Sequence, residues 1–325
     1  MAAVAAVVVV VAVSLHLHLP FGLSSGHSAT TSSSTTTTGP SKPKQTQTIN
    51  LSTIGSLSAP ASRIAAVPFG TGGALFMGGF DASGSPTGSV QNFQVGNVTS
   101  AGTLPVAEGS AVAAALGANV YLIGGEGSTI YQSTGTSFTV AGSLPVATAD
   151  AAVATVGGTA YVIGGYSGTS ELNTIVAFTP GSPAQTVATL PVPLRYPAAA
   201  ALGGEVYITG GSTAGTASAT VYRFDPVTKV ITTFATLPHA RDRESATALD
   251  GKVYVIGGAN TAGTRTRAIY AINPTNGAVR LAGILPLALS DAAAVTASGE
   301  ILIAGGLNDA GAPIATIYAI TVQRT

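Results

Sequence analysis

The chain has 325 residues, 13 basic and 13 acidic side chains for a formal net charge of zero, and only 8% charged residues, against about 25% in an average soluble domain. The absence of cysteine excludes a disulfide framework, a thiolate metal site and a cysteine nucleophile, and the balanced charge argues against a nucleic-acid footprint. Few Glu and Lys among 46% hydrophobic residues and 41 glycines also argue against long solvated helices.

In chain order, the first element is an apolar run over residues 2–15 (AAVAAVVVVVAVSL), continued weakly by Leu17, Leu19, Phe21 and Leu23. Its length suits an export signal or a short anchor better than a full membrane span, although no Lys or Arg precedes it. Residues 24–47 are rich in Ser and Thr, with Pro40 and Pro43 among them. Such a composition buries too little apolar surface to offset its ordering entropy. The expected organisation is an export signal or anchor at 1–23, a stalk at 24–47 and a folded body at 48–325. The protein would be exported, outside the cell or in its envelope, and would meet the membrane only through its first segment.

The body is one repeat written six times. Apolar runs end in a glycine pair at Gly78-Gly79, Gly124-Gly125, Gly164-Gly165, Gly210-Gly211, Gly257-Gly258 and Gly305-Gly306, spaced by 46, 40, 46, 47 and 48 residues. A Leu-Pro landmark recurs, and Pro105, Pro145, Pro191, Pro238 and Pro286 each lie 19 residues before the next first glycine. The length variation therefore falls after the glycine pairs, in loops.

Each unit reads as four short strands, here called A to D. In the fifth, A is Ser245–Leu249, Asp250-Gly251 is a two-residue hairpin turn, B is Lys252–Ile256, C is Ala268–Ile272 and D is Val279–Ile284. Strand B is apolar on both faces, as a strand between two neighbouring sheets should be. The glycine pair supplies positive φ or a close backbone approach where B leaves its sheet. Four-stranded repeats of this length predict an all-β, six-bladed propeller of antiparallel blades. After the last glycine pair only one strand remains, predicted at Ile314–Val322, so the sixth blade lacks D. The segment Ile49–Leu57 resembles the D strands and is expected to supply it, pairing in the C-terminal blade and closing the ring.

These residues resemble the kelch family of propellers. The resemblance spans about 48–325 and rests on the apolar run plus Gly-Gly, a later Tyr, a turn and strand D. Val221-Tyr222-Arg223-Phe224-Asp225-Pro226 is nearest to the family's Tyr-Asp-Pro segment, followed by Ile269-Tyr270-Ala271-Ile272-Asn273-Pro274. The family usually opens strand D with Trp. Here the aligned positions hold Leu51, Val98, Phe138, Ala184, Ile231 and Val279, so smaller side chains would have to do the packing.

The family includes galactose oxidase, whose copper site needs His and Tyr ligands and a Tyr–Cys cross-link. This chain has no Cys, and His239 is the one histidine of the body. One imidazole is too few for such a site, and no metal or cofactor is expected. No nucleophile-elbow motif accompanies His239.

The charges are more informative. The D–A crossings carry Arg63, Glu108, Asp150, Arg195, Arg241, Asp242, Arg243, Glu244 and Asp291, with Tyr196 beside Arg195. The B–C loops at the same end add Asp81, Glu126, Tyr166 and Asp309. One rim should thus be charged around a channel lined by small A-strand residues. Loops on a rigid scaffold are where binding concentrates, and guanidinium forks suit carboxylates. The resemblance points the same way, because kelch propellers that bind acidic peptides place Arg and Ser there.

The leading expectation is a non-catalytic binding module recognising a protein segment or an envelope glycan. A second is an exported sugar mutarotase or epimerase, as the resemblance to bacterial sialic-acid-processing propellers implies, with Glu244 as acid/base and Arg195 or Arg243 as anchor. A third is a structural subunit of an envelope assembly. The same rim charges would also arise if Asp and Arg merely pair there, for about 0–1 kcal/mol each.

Overall fold

A computed structural model describes residues 47–324. The segment expected at 1–23 and the stalk up to residue 46 lie outside the described residues. Among the described residues every named element is a strand.

The first strand, β1, spans Gln47–Ser56. Blade one holds β2 (Ala65–Phe69), β3 (Gly73–Met77), β4 (Ser89–Gln94) and β5 (Asn97–Thr103). Blade two holds β6 (Val112–Leu116), β7 (Asn119–Ile123), β8 (Thr129–Ser133) and β9 (Phe138–Ser143). Blade three holds β10 (Ala152–Val156), β11 (Thr159–Ile163), β12 (Thr174–Phe178) and β13 (Gln185–Thr189). Blade four holds β14 (Arg195–Leu202), β15 (Glu205–Thr213), β16 (Thr216–Phe224) and β17 (Ile231–Arg241). Blade five holds β18 (Ser245–Leu249), β19 (Lys252–Ile256), β20 (Ala268–Ile272) and β21 (Val279–Ile284). Blade six holds β22 (Ala293–Ala297), β23 (Glu300–Ala304) and β24 (Thr316–Arg324), completed by β1.

The ring closes as the sequence predicts. β1 runs antiparallel to β24, with Ile49 opposite Val322 and Leu51 opposite Ile320, so the outer strand of the last blade comes from the start of the body. Its bounds differ slightly from expectation. β1 runs from Gln47 to Ser56 instead of from Ile49 to Leu57, and the final strand starts at Thr316 instead of Ile314. The carbonyls of Ile314 and Ala315 are taken by the N–H groups of Ala61 and Leu57, so these residues tie the crossing into blade one and leave the ladder.

Hairpin chemistry sets the A–B register. Asp250 and Gly251 both have positive φ, 52° and 71°, as a two-residue turn with the sheet's own twist requires. Leu249 therefore faces Lys252 across the turn. The B strands bury both faces; in β19, Val253, Tyr254, Val255 and Ile256 are all buried. Six apolar clusters result, one between each pair of adjacent blades. The positions that lack Trp contribute one side chain to each cluster: Val98, Ile231, Phe138, Ala184, Leu51 and Val279. Edge-to-face rings add to two interfaces, Tyr121 on Phe178 and Tyr161 on Phe224.

Blade four departs from the repeat. Its B–C connection is a two-residue turn, Ala214-Gly215, with φ of 48° and 75°. β15 and β16 therefore extend, and the pair Gly210-Gly211 stays inside β15 instead of marking its exit. The longer β16 gives β17 a partner as far as Arg241. His239, expected beside a turn, is an exposed strand residue.

Candidate functional site at the channel mouth

The D–A crossings meet around the propeller axis, and one residue from each takes the same unusual backbone. Arg63, Ser110, Asp150, Tyr196, Arg243 and Asp291 all have φ between 51° and 61°. For an L-residue this conformation costs about 1–2 kcal/mol, so its recurrence in every blade needs a compensating contact. That contact is a ring of hydrogen bonds from blade to blade. The N–H of Arg63 donates to the carbonyl of Asp291 (2.8 Å), Asp291 to Arg243 (2.8 Å), Arg243 to Tyr196 (3.2 Å), Tyr196 to Asp150 (2.9 Å) and Asp150 to Ser110 (3.2 Å). The sixth link, from the Ser110 N–H to the Arg63 carbonyl, is not made.

The glycine pairs lock this ring from outside. All twelve glycines have positive φ. In five blades the second glycine donates its N–H to the next crossing, as Gly79 does to Glu108 (2.8 Å) and Gly258 to Leu289 (2.8 Å). A Cβ on Gly124 or Gly257 would collide with a carbonyl of the following blade. The expected positive φ and close approach thus occur together, and they fix the six crossings to one another.

The side chains of the ring form a charged and aromatic cluster. Arg63 donates through Nε to Asp291 (3.0 Å) and lies 3.5 Å from Asp150. Arg195 binds Asp150 at 2.6 Å. Arg243 sits 3.8 Å from Asp291 and 3.7 Å from Asp242. Tyr196 lies among three guanidiniums, 3.9 Å from Arg243, 4.6 Å from Arg195 and 4.9 Å from Arg63 to its ring centroid, within cation–π range. Burial opposes the charge of Arg63, but Asp291, Tyr196 and Asp150 outweigh it and raise its pKa. Burial raises the Tyr196 hydroxyl, against the pull of Arg63, Arg243 and Arg195. Asp242 is also raised by burial, opposed by Arg243.

Two spaces adjoin the ring. One is the axial channel, about 560 Å³, lined by the inner strands β2, β6, β10, β14, β18 and β22, mostly Ala, Val, Ser and Thr. The other is a cavity of about 320 Å³ at the mouth, over blades one to three. Arg63, Phe80, Ser110, Asp150, Tyr166 and Arg195 are among its lining residues. Tyr166 stacks on Arg195, 4.1 Å from its guanidinium carbon to the ring centroid, and Phe80 lies 5.6 Å from that of Arg63.

Of the residues predicted for this face, Arg63, Asp150, Arg195, Tyr196, Asp242, Arg243 and Asp291 come together. Glu108 stands beside them at the blade-two latch, where its carboxylate accepts from the Glu126 N–H (3.2 Å) and burial raises its pKa. Glu126 lines the cavity from its edge. Asp81 is occupied within its own loop by Ser83 and Ser85, and Asp309 is exposed in its loop.

Arg241 and Glu244 turn into the wall between blades four and five. Arg241 donates to the Gly257 carbonyl (2.9 Å) and stacks on Tyr270. Glu244 accepts from Thr209 (3.1 Å) beside Gly210, and its other oxygen is buried without a hydrogen bond. Burial pushes the Glu244 carboxyl up to about 8, against the smaller pull of its own backbone N–H and Arg241.

Two contributors went unforeseen, Phe80 and Ser110. Phe80 follows its glycine pair as Tyr166 does, and that alignment would have found it. Ser110 carries no charge and is visible only from its place two residues after Glu108, the offset at which Asp150 follows Thr148.

The Kelch motif matches residues 147–184 and 193–230, the inner three strands of blades three and four. No curated protein matches the sequence. Among solved structures the chain is similar to that described as "Structure of YjhT", at 14% identity and a TM-score of 0.72, covering 83% of this chain and 99% of that one. The chain is thus a closed six-bladed β-propeller that carries the Kelch motif in two adjacent blades.

Proposed function

We propose that this protein is a binding module that takes a carboxylate-bearing protein segment or glycan at the channel mouth. One observation carries the reading. Arg63 and Arg195 both line the 320 Å³ cavity, and each keeps one guanidinium nitrogen, Nη2 and Nη1 respectively, outside any hydrogen bond within the protein. Their other nitrogens are held by Asp150, Asp291 and Ser110, so the unengaged donors are oriented before a ligand arrives, which lowers the ordering cost of binding. Phe80 and Tyr166 supply apolar wall, in keeping with small-ligand sites that set a few polar groups in a largely apolar surface.

A sugar-mutarotase activity would draw on Glu244 and Arg195 together. Arg195 lines the mouth cavity, whereas Glu244 lines the axial channel with its carboxyl seated on Thr209 and Gly210. The binding reading needs no such pairing. On this proposal the hydrophobic segment and stalk would display the propeller outside the cell, and protease applied to intact cells should then release it.

The direct test is calorimetry with short acidic peptides and uronic-acid or sialic-acid glycans. Binding should weaken at least tenfold in Arg195→Gln, measured at a temperature where circular dichroism shows the variant folded, because the loss of its partner on the buried Asp150 also lowers the melting temperature. Affinity unchanged by that substitution, or no binding to any carboxylate, would overturn the proposal.

A further inference from the structure

The ring of backbone hydrogen bonds lacks one link, and both residues that would make it line the mouth cavity. Five links are made, at 2.8–3.2 Å. The sixth would join Ser110 to Arg63, and both residues line the cavity. They are neighbours in space, because Arg63 Nη1 lies 3.5 Å from Ser110 Oγ. The ring of Phe80 packs so closely on Gly109 that no Cβ fits there, so the segment leading into Ser110 is propped by an aromatic wedge. The missing link falls at this joint alone, beside the two arginines with unengaged nitrogens.

The Ser110 N–H and the Arg63 carbonyl, which no hydrogen bond within the protein joins, form a donor–acceptor pair on two residues that line the cavity. A secondary amide is the group that satisfies both at once, since its N–H donates and its carbonyl accepts. We propose that the ligand of this mouth carries a secondary amide next to its carboxylate, as in an N-acylated amino acid. Its amide completes the sixth link between Ser110 and Arg63, and its carboxylate meets Arg195 and Arg63. The inference rests on the binding reading above and names the chemical class that the site selects. It assigns specificity to two main-chain groups, and a ligand without the amide leaves both unpaired, which is a strong source of discrimination.

The same chemistry occurs in a free N-acylamino acid and at the carboxy terminus of a peptide. The experiment titrates the full chain with N-acetyl-alanine, tetra-alanine, N-acetyl-N-methyl-alanine and propionate. N-acetyl-alanine should bind at least tenfold more tightly than its N-methyl analogue, which cannot donate to the Arg63 carbonyl, and than propionate, which has no amide. Tetra-alanine binding with N-acetyl-alanine identifies a peptide terminus as the source, and N-acetyl-alanine alone identifies the small acid. Hydrogen exchange gives a second readout. In the free protein the Ser110 amide should exchange at least tenfold faster than those of Tyr196 and Asp291, and N-acetyl-alanine should slow it selectively. Equal affinity for the methylated and unmethylated ligands, with Ser110 exchange unchanged, overturns this inference and leaves carboxylate binding standing. Failure of every carboxylate tried, acidic peptides and glycans included, overturns both.

Discussion

Arg195 sets both Nε and Nη2 on the same oxygen of Asp150, at 2.8 and 2.6 Å, and leaves the second oxygen buried without a hydrogen bond. Arg63 approaches that second oxygen at 3.5 Å. Asp150 is thus a shared counter-charge for the two arginines of the cavity, with a side chain only 3% exposed. Asp150→Asn should destabilise the protein by about 1–3 kcal/mol, since the Asn leaves two half-paired guanidiniums. The same change removes one negative charge from the mouth, so affinity for N-acetyl-alanine should rise as stability falls. Urea unfolding and calorimetry on the one variant check both signs. A variant that loses stability and affinity together would show that Asp150 positions the arginines more than it competes for them.

Two glycines of blade five separate conformational need from crowding. Gly251 and Gly257 both have positive φ, 71° and 65°. Nothing lies within 4 Å of a Cβ on Gly251, whereas one on Gly257 would collide with the Leu289 carbonyl of blade six. Gly251→Ala should cost only the left-handed penalty, about 1 kcal/mol. Gly257→Ala must also push two blades apart and should cost about 2–4 kcal/mol. Paired denaturation curves decide it, and equal losses would mean that the glycine pair serves only its turn.

The contrast also explains what could be read from the sequence. Glycine pairs, Leu-Pro landmarks and apolar B strands act through local backbone geometry and burial, so their spacing revealed the blade count, the fifth blade's four strands and the role of β1. The charged crossings were legible as a location, because D–A segments must converge on the axis. The direction of each side chain was not. Arg243 and Glu244 are adjacent, yet Arg243 stacks on Tyr196 while Glu244 enters the wall beside Gly210. That split follows from Arg243 being the left-handed residue of its crossing, a conformation no charge pattern encodes. Blade four's long strands were hidden for a similar reason. The turn at Ala214-Gly215 is a matter of two φ angles, and its glycine pair looks like the other five.

Glu244 should make stability depend on pH. Its carboxyl is raised from an ordinary 4.5 to about 8 in the folded state, chiefly by burial. Between those values the folded protein keeps a proton that the unfolded chain has released, so the folded state binds more protons and stability falls as pH rises. The contribution is most favourable below pH 4.5, declines toward pH 8 and is flat beyond. The slope from this group approaches but does not exceed about 1.4 kcal/mol per pH unit. Glu244→Gln keeps an acceptor for Thr209 and never ionises. The variant should match the parent near pH 4.5 and exceed it increasingly up to pH 8, in unfolding curves measured across that range. Parallel curves would mean that Arg241 keeps the carboxylate ionised in the folded state.

Ring closure can be tested without altering any site residue. β1 supplies the outer edge of blade six, and in its absence β24 would present an unpaired edge, the usual template for association between chains. Removal of residues 1–57 should lower the melting temperature and convert a fraction of the protein into larger species on gel filtration. It should also loosen the junction with blade five, because Ile49 packs against Gly283 of β21 so closely that a Cβ there would collide with it. A synthetic peptide of residues 47–57 should restore both the melting temperature and the original elution volume. The same peptide with Leu51→Asp should fail, since Leu51 packs into the apolar cluster between blades five and six. Full stability of the truncated chain, or equal rescue by both peptides, would show that the six blades hold together without the strand that joins their two ends.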